Sequence, residues 1–106
     1  MTSKSSITAR DEWLHNSHAG ELLWSEFMEP LGLNISQLAQ ATAVKPQRLE
    51  AVVEGSEPVD GELDLRLGQY FRMSEGFFLG LQDDYELFEA ERRLEGELDR
   101  ITPRAA

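Results

Sequence analysis

The segment from Asn34 to Gly55, NISQLAQATAVKPQRLEAVVEG, constrains this chain more than any other. Its apolar residues recur at helical rather than alternating spacing: Leu38, Ala39 and then Thr42 in one run, Leu49, Val52 and Val53 in the next. Asn34 or Ser36 suits the start of a first helix, because a short side-chain oxygen there accepts from N–H groups that have no partner within the helix. Thr42-Ala43-Val44 is a compact break that places an apolar valine between helices. Pro46 fits the first position of a second helix, where its missing N–H costs nothing. Gly55 fits a left-handed stop. Leu38, Ala39, Val44, Leu49 and Val52 are expected to face inward. Two short helices joined by so tight a turn make a helix-turn-helix, in which the second helix can enter a DNA major groove.

Further helices flank this pair. From Gly20, Leu22, Leu23, Phe27 and Met28 share one side while Glu21, Ser25, Glu26 and Glu29 take the other, with Ser17 as a candidate cap. Pro30-Leu31-Gly32-Leu33 ends that helix. Asp60 is placed to cap a helix over about 61–71 that buries Leu63, Leu67 and Tyr70 or Phe71. Ser74 is the candidate cap of a last, long helix with Phe77, Phe78, Leu81, Tyr85 and Phe88 along one stripe. Leu87, Leu94 and Ile101 then recur every seven residues, although Glu91 breaks the second seam position of a coiled coil. A solvated helix folded over its own domain and a dimer- or partner-binding helix both remain open there. Thr102-Pro103 is expected to end it. The organisation expected is a polar tail over 1–16, a helix-turn-helix domain over 17–85, and a C-terminal helix and tail over 86–106.

A chain of 106 residues supports one modest core, and 41% hydrophobic residues fit a globular protein. No cysteine is present, which excludes disulfides, thiolate metal ligands and a cysteine nucleophile. The first residues carry no apolar signal core, and no later run is long enough to span a bilayer, so a cytoplasmic protein without membrane association is expected. His15 and His18 sit three apart with no evident third ligand, and two ordinary histidines explain them better than a metal pair. No nucleophile elbow, phosphate-binding loop, zinc-protease helix or dinucleotide fingerprint occurs. The carboxylates alternate with apolar faces, as on solvated helices. No enzyme, metal or cofactor is expected.

The order of motifs resembles the HigA (VapI-like) antitoxins, a branch of the phage-repressor-type, or XRE, helix-turn-helix proteins. The resemblance spans roughly His18 to Tyr85. It is carried by His18-x-Gly20-Glu21-x-Leu23, Glu26-Phe27-x-x-Pro30-Leu31-Gly32-Leu33 and Ser36-Gln37-Leu38-Ala39, followed by Val44, Leu49 and Gly55. Leu65-Arg66-Leu67, Tyr70-Phe71 and Ser74-Glu75-x-Phe77-Phe78-Leu79-x-Leu81-Gln82 complete the series. It implies an all-α bundle of about five helices, lambda-repressor-like, containing a helix-turn-helix and an extended C-terminal helix. It also implies an antitoxin of a type II toxin-antitoxin system. Such a protein neutralises a basic RelE/HigB-like mRNA-cleaving toxin and, as a homodimer, represses its own operon by binding a palindromic operator. Where the family has Gly-Lys-Arg after the second motif helix, this chain has Gly55-Ser56-Glu57, which replaces two cations by a hydroxyl and a carboxylate.

By position, the resemblance assigns DNA contacts to Ser36 and Gln37, suited to phosphate, and to Lys45, Gln47, Arg48 and Ala51 on or before the outer face of the second helix. Gln47 suits adenine and Arg48 suits guanine. From the residues alone, Lys45, Gln47 and Arg48 read better as the polar face of an amphipathic helix, and it is the resemblance that reverses this. The formal net charge of −10 sets the wrong field for DNA, and Glu50, Glu54 and Glu57 lie close to the same surface. DNA binding weaker than the family norm is therefore expected, with a bound basic toxin able to restore positive field. The alternative is a helix-turn-helix scaffold that has lost DNA binding and serves only as a protein-interaction module.

Overall fold

The computed structural model describes residues 16–105, and these form a bundle of five helices. Helix α1 runs through Ala19–Leu22, a π-helical stretch Leu23–Met28 and Glu29–Leu31. Then come α2 (Ile35–Thr42), α3 (Pro46–Glu54), α4 (Gly61–Phe71) and α5 (Phe77–Arg93), with a 3-10 turn at Leu98–Arg100. No strand occurs among the described residues. The wide turns of α1 precede Pro30, where the Glu29 N–H bonds Trp24 O five residues back. Proline brings no N–H of its own and crowds the carbonyl four residues before it, so a locally wider helix accommodates it.

The boundaries follow from short-range chemistry. Asn34 caps α2 in a reciprocal box: its Oδ1 accepts the Gln37 N–H at 2.7 Å, and Gln37 Oε1 accepts the Asn34 N–H at 2.9 Å. Pro46 opens α3, and Gly55 closes it with φ 87°. The turn between the motif helices is made by Ala43 at φ 58°, a left-handed conformation that a residue with a Cβ adopts at some cost. Asp60 caps α4 through the Leu63 N–H at 3.0 Å.

The core lies where these helices converge. Leu23, Met28, Leu38, Leu49, Val52, Leu67 and Phe78 are all but inaccessible, with Ala19, Ala39, Val59 and Leu63 beside them. Val44 packs against this cluster from the edge. Phe27 joins Phe71, Phe77 and Phe78 in tilted and edge-on contacts with ring centroids 5.0–6.0 Å away. Gly20 meets the α3 backbone directly: a Cβ there would lie 1.7 Å from Val52 O. Only glycine permits this approach.

Several expectations need correction. The α1 cap is His18, whose Nδ1 accepts the Glu21 N–H at 3.1 Å, and not Ser17. That bond, with the edge-on packing of His18 against Tyr85, gives the histidine a structural role; its suggested metal partner His15 lies outside the described residues. So does the expected tail, except Asn16, whose Nδ2 donates to Tyr85 O and Glu89 on α5. Phe71 turns inward, whereas Tyr70 is exposed. Ser74 does not cap α5. Gly76 occupies that position, and the capping oxygens come from Asp64 on α4: Oδ2 accepts the Gly76 N–H at 2.7 Å and Oδ1 the Leu79 N–H at 2.9 Å. Finally, α5 stops at Arg93, before a turn at Gly96, so Leu87 lies on the helix while Leu94 and Ile101 lie beyond it. The seven-residue repeat therefore does not form one helical seam.

Candidate nucleic-acid interface

Helix α3 buries Leu49 and Val52 and half-buries Val53, which fixes its opposite side as the outer face. Gln47, Glu50, Ala51 and Glu54 follow the i, i+3, i+4, i+7 rule and make up that face. All are exposed except the half-buried Ala51. Lys45 stands at the N-terminal end of α3 in extended conformation and is exposed, with no ion-pair partner among the described residues. Ser36 and Gln37 are exposed in the first turn of α2, which packs directly on α3. The Gln37 carbonyl is committed to the capping box, which holds the side chain in one orientation and leaves its Nε2 without a partner among the described residues.

Arg48 is placed differently from its neighbours. It sits on the flank of α3, with only a quarter of its side chain exposed, and its guanidinium is turned toward the following loop. Nη1 donates to Glu57 Oε1 at 2.8 Å and to Pro58 O at 3.0 Å, while Nη2 pairs with Asp60 Oδ2 at 3.2 Å. The Asp60 carboxyl is held below the usual aspartate range chiefly by the Leu63 N–H; burial opposes this, and the charge and hydrogen bond of Arg48 add to the lowering. A cleft of about 310 Å³ opens beside this group, lined by Lys45, Arg48 and Arg66 together with Asp60 and Glu62. Arg66 is engaged as well, donating to Glu62 at 3.1 Å and to Thr42 O at 3.1 Å.

Gln47 and Ala51 thus lie on the outer face of α3, Ser36, Gln37 and Lys45 are exposed at the starts of the two motif helices, and the Arg48 guanidinium is turned away from that outer face toward the following loop. The capture of Arg48 escaped the sequence reading, although Glu57 and Asp60, nine and twelve residues ahead, were its available partners. Among the described residues no group of three or more histidines or carboxylates converges to hold a metal ion. No helix there is long and apolar enough to cross a membrane.

A five-helix bundle that holds one exposed helix on a tight two-helix unit is a helix-turn-helix protein. The chain is 33% identical over 87 residues to Virulence-associated protein I of Dichelobacter nodosus, across 82% of this chain and 81% of that one. It is similar in structure to the Pseudomonas aeruginosa antitoxin HigA determined with the higBA promoter, with a TM-score of 0.77 and 27% identity over 85% of this chain and 99% of that one. A further Pseudomonas aeruginosa structure, of a protein in complex with its 18-bp operator DNA, matches with a TM-score of 0.79 and 28% identity over 85% and 96% of the two chains. No family model matches the sequence. The chain belongs to the HigA (VapI-like) antitoxins of the XRE helix-turn-helix family.

Proposed function

We propose that this protein is the antitoxin of a type II toxin-antitoxin system, and that it binds operator DNA as an autorepressor and neutralises a basic RelE/HigB-like mRNA-cleaving toxin. The observation that carries the DNA half is the outer face of α3, left uncovered beside the exposed start of α2. It sits on a fold that matches, over 85% of the chain, an antitoxin determined with its promoter. Gln47 and Ala51 face the bases, while Ser36, Gln37 and Lys45 contact phosphate. The protein acts as a homodimer on a two-fold operator, since closed two-fold symmetry matches this motif to paired half-sites. In this reading residues 17–85 are the DNA-binding unit, residues 1–16 and 86–106 are its extensions, and the site of action is cytoplasmic.

Specific affinity is weak for the isolated protein, because Glu50 and Glu54 share the outer face with Gln47 and Ala51. A basic toxin bound to the acidic body restores positive field near the phosphates. These same two glutamates favour the second reading, a scaffold that no longer binds DNA and acts only through protein partners. Binding of the purified protein to its own promoter, measured across a salt series with and without the toxin, separates the two. A footprint whose affinity falls steeply with salt and tightens with toxin supports the repressor. Tight, equal binding with and without toxin refutes the weak-affinity claim, and no site under any condition leaves the interaction module. Toxin neutralisation is tested by co-expression with a toxic RelE/HigB-like protein from the same operon: absence of such a gene, or failure to restore growth, refutes the antitoxin assignment.

A further inference from the structure

Arg48 is the only cation on α3 itself, where it faces two glutamates in the same nine-residue helix. A recognition helix so constituted depends on that arginine for any positive charge of its own. Yet the guanidinium already holds two carboxylates and a carbonyl through Nη1 and Nη2, at 2.8, 3.2 and 3.0 Å. Arginine pairs with carboxylate and with phosphate through the same fork of N–H donors, so Glu57 and Asp60 occupy the donors that a DNA phosphate would need. The geometry is specific to the segment beyond α3. Glu57 follows the closing turn at Gly55, Pro58 O adds an acceptor, and Asp60 is already fixed as the cap of α4. Lys45 lines the adjoining cleft and has no ion pair among the described residues, so a released Arg48 would lie beside a second cation.

We infer that the Arg48–Glu57–Asp60 cluster is a built-in attenuator of DNA binding: Glu57 competes internally with DNA phosphate for the one arginine of the recognition helix. This rests on the operator-binding reading above. It assigns Arg48 no DNA contact in the native protein and makes Glu57, rather than Glu50 or Glu54, the residue that sets how much of the available charge reaches DNA. The ion pair between Arg48 and Glu57 is partly exposed, and such pairs contribute little to stability, so its replacement should leave the fold intact. Asp60 is left unchanged in the test because it caps α4.

The test compares four full-length proteins, wild type, Glu57→Gln, Arg48→Met and the double variant, by fluorescence anisotropy on the promoter fragment that precedes the gene. Salt is varied and folding is checked by thermal melting. Loss of the shorter of its two carboxylate contacts should free Arg48 Nη1 for phosphate and make E57Q bind about five- to tenfold more tightly at low salt. Its plot of log affinity against log salt should steepen by about one, the increment for one added phosphate contact. R48M should stay within twofold of wild type, and the double variant should lose the gain. Tenfold weaker binding by R48M, with a shallower slope, would show that Arg48 already contacts DNA and would overturn the inference. A gain that persists in the double variant would overturn it too, as simple removal of a repelling charge. If wild type shows no site and E57Q acquires one, the attenuator is supported in its strongest form. If none of the four binds at any salt, the operator-binding reading fails and takes the inference with it; selective failure of E57Q to gain leaves that reading standing.

Discussion

Replacement of Asp64 by alanine should be among the most damaging single changes available in this fold. The side chain is 3% exposed and lies on α4, yet its two oxygens satisfy N–H groups at the start of α5, 2.7 Å from Gly76 and 2.9 Å from Leu79. Gly76 has no side chain with which to cap α5 itself, so the carboxylate supplies both the cap and a tie between two helices. Bonds to an ionised acceptor are the stronger kind, and each N–H left without a partner costs about 1–3 kcal/mol. Loss of both gives about 2–6 kcal/mol, a large fraction of the ~5–15 kcal/mol that holds a typical domain together. At about 4–8 °C per kcal/mol for a small domain, the melting temperature should fall by at least about 8 °C. Asp64→Asn keeps one acceptor oxygen in the same shape and should lose about half as much. Urea denaturation measures both, with the slope m expected to stay constant because the surface exposed on unfolding is unchanged. An alanine variant within about 0.5 kcal/mol of wild type would refute the capping account, since surface-like substitutions fall in that range.

Three further outcomes follow from the same geometry. Gly20→Ala should abolish cooperative folding or cost more than about 4 kcal/mol by urea titration, because its Cβ would lie 1.7 Å from a backbone oxygen that no side-chain movement can clear. Ala43→Gly should stabilise the protein by up to about 1 kcal/mol, since glycine adopts the φ of 58° without steric penalty; a destabilised variant would contradict this. The lowered pKa of Asp60 means that its ionised form favours the folded state, so this contribution is full above about pH 4 and is lost as pH falls through the folded value. Asp60→Asn should therefore show a shallower loss of stability below about pH 4 in acid titrations followed by circular dichroism. An unchanged acid limb would discount the carboxylate.

What the chain discloses by itself is governed by sequence distance. Asn34, Pro46, Gly55 and Asp60 mark helix ends through rules that act over three or four residues, and all four occupy the expected positions. The apolar spacing of Leu38, Leu49 and Val52 likewise located the core face. The ties made by Asp64 and Arg48 were not legible, because their partners lie 9 to 15 residues away, where helical spacing carries no information. An aspartate between Leu63 and Leu67 on a buried face was the available sign of a long-range cap. The end of α5 at Arg93 was obscured by the regular recurrence of leucine, which outweighed the turn signal of Gly96. Gln47 and Ala51, taken from the resemblance, do lie on the outer face of α3, but the direction of the Arg48 guanidinium was not legible.

The bare contact between Gly20 and Val52 O has a mechanical consequence. Side chains between helices act as compressible spacers and allow one helix to slide or tilt by rearranging rotamers. Here main chain rests on main chain, and no rotamer can absorb a displacement. A displacement of α1 at this point is therefore passed directly to α3. Any body that grips α1 from outside also sets the pitch of α3, although it need not approach the residues that α3 presents.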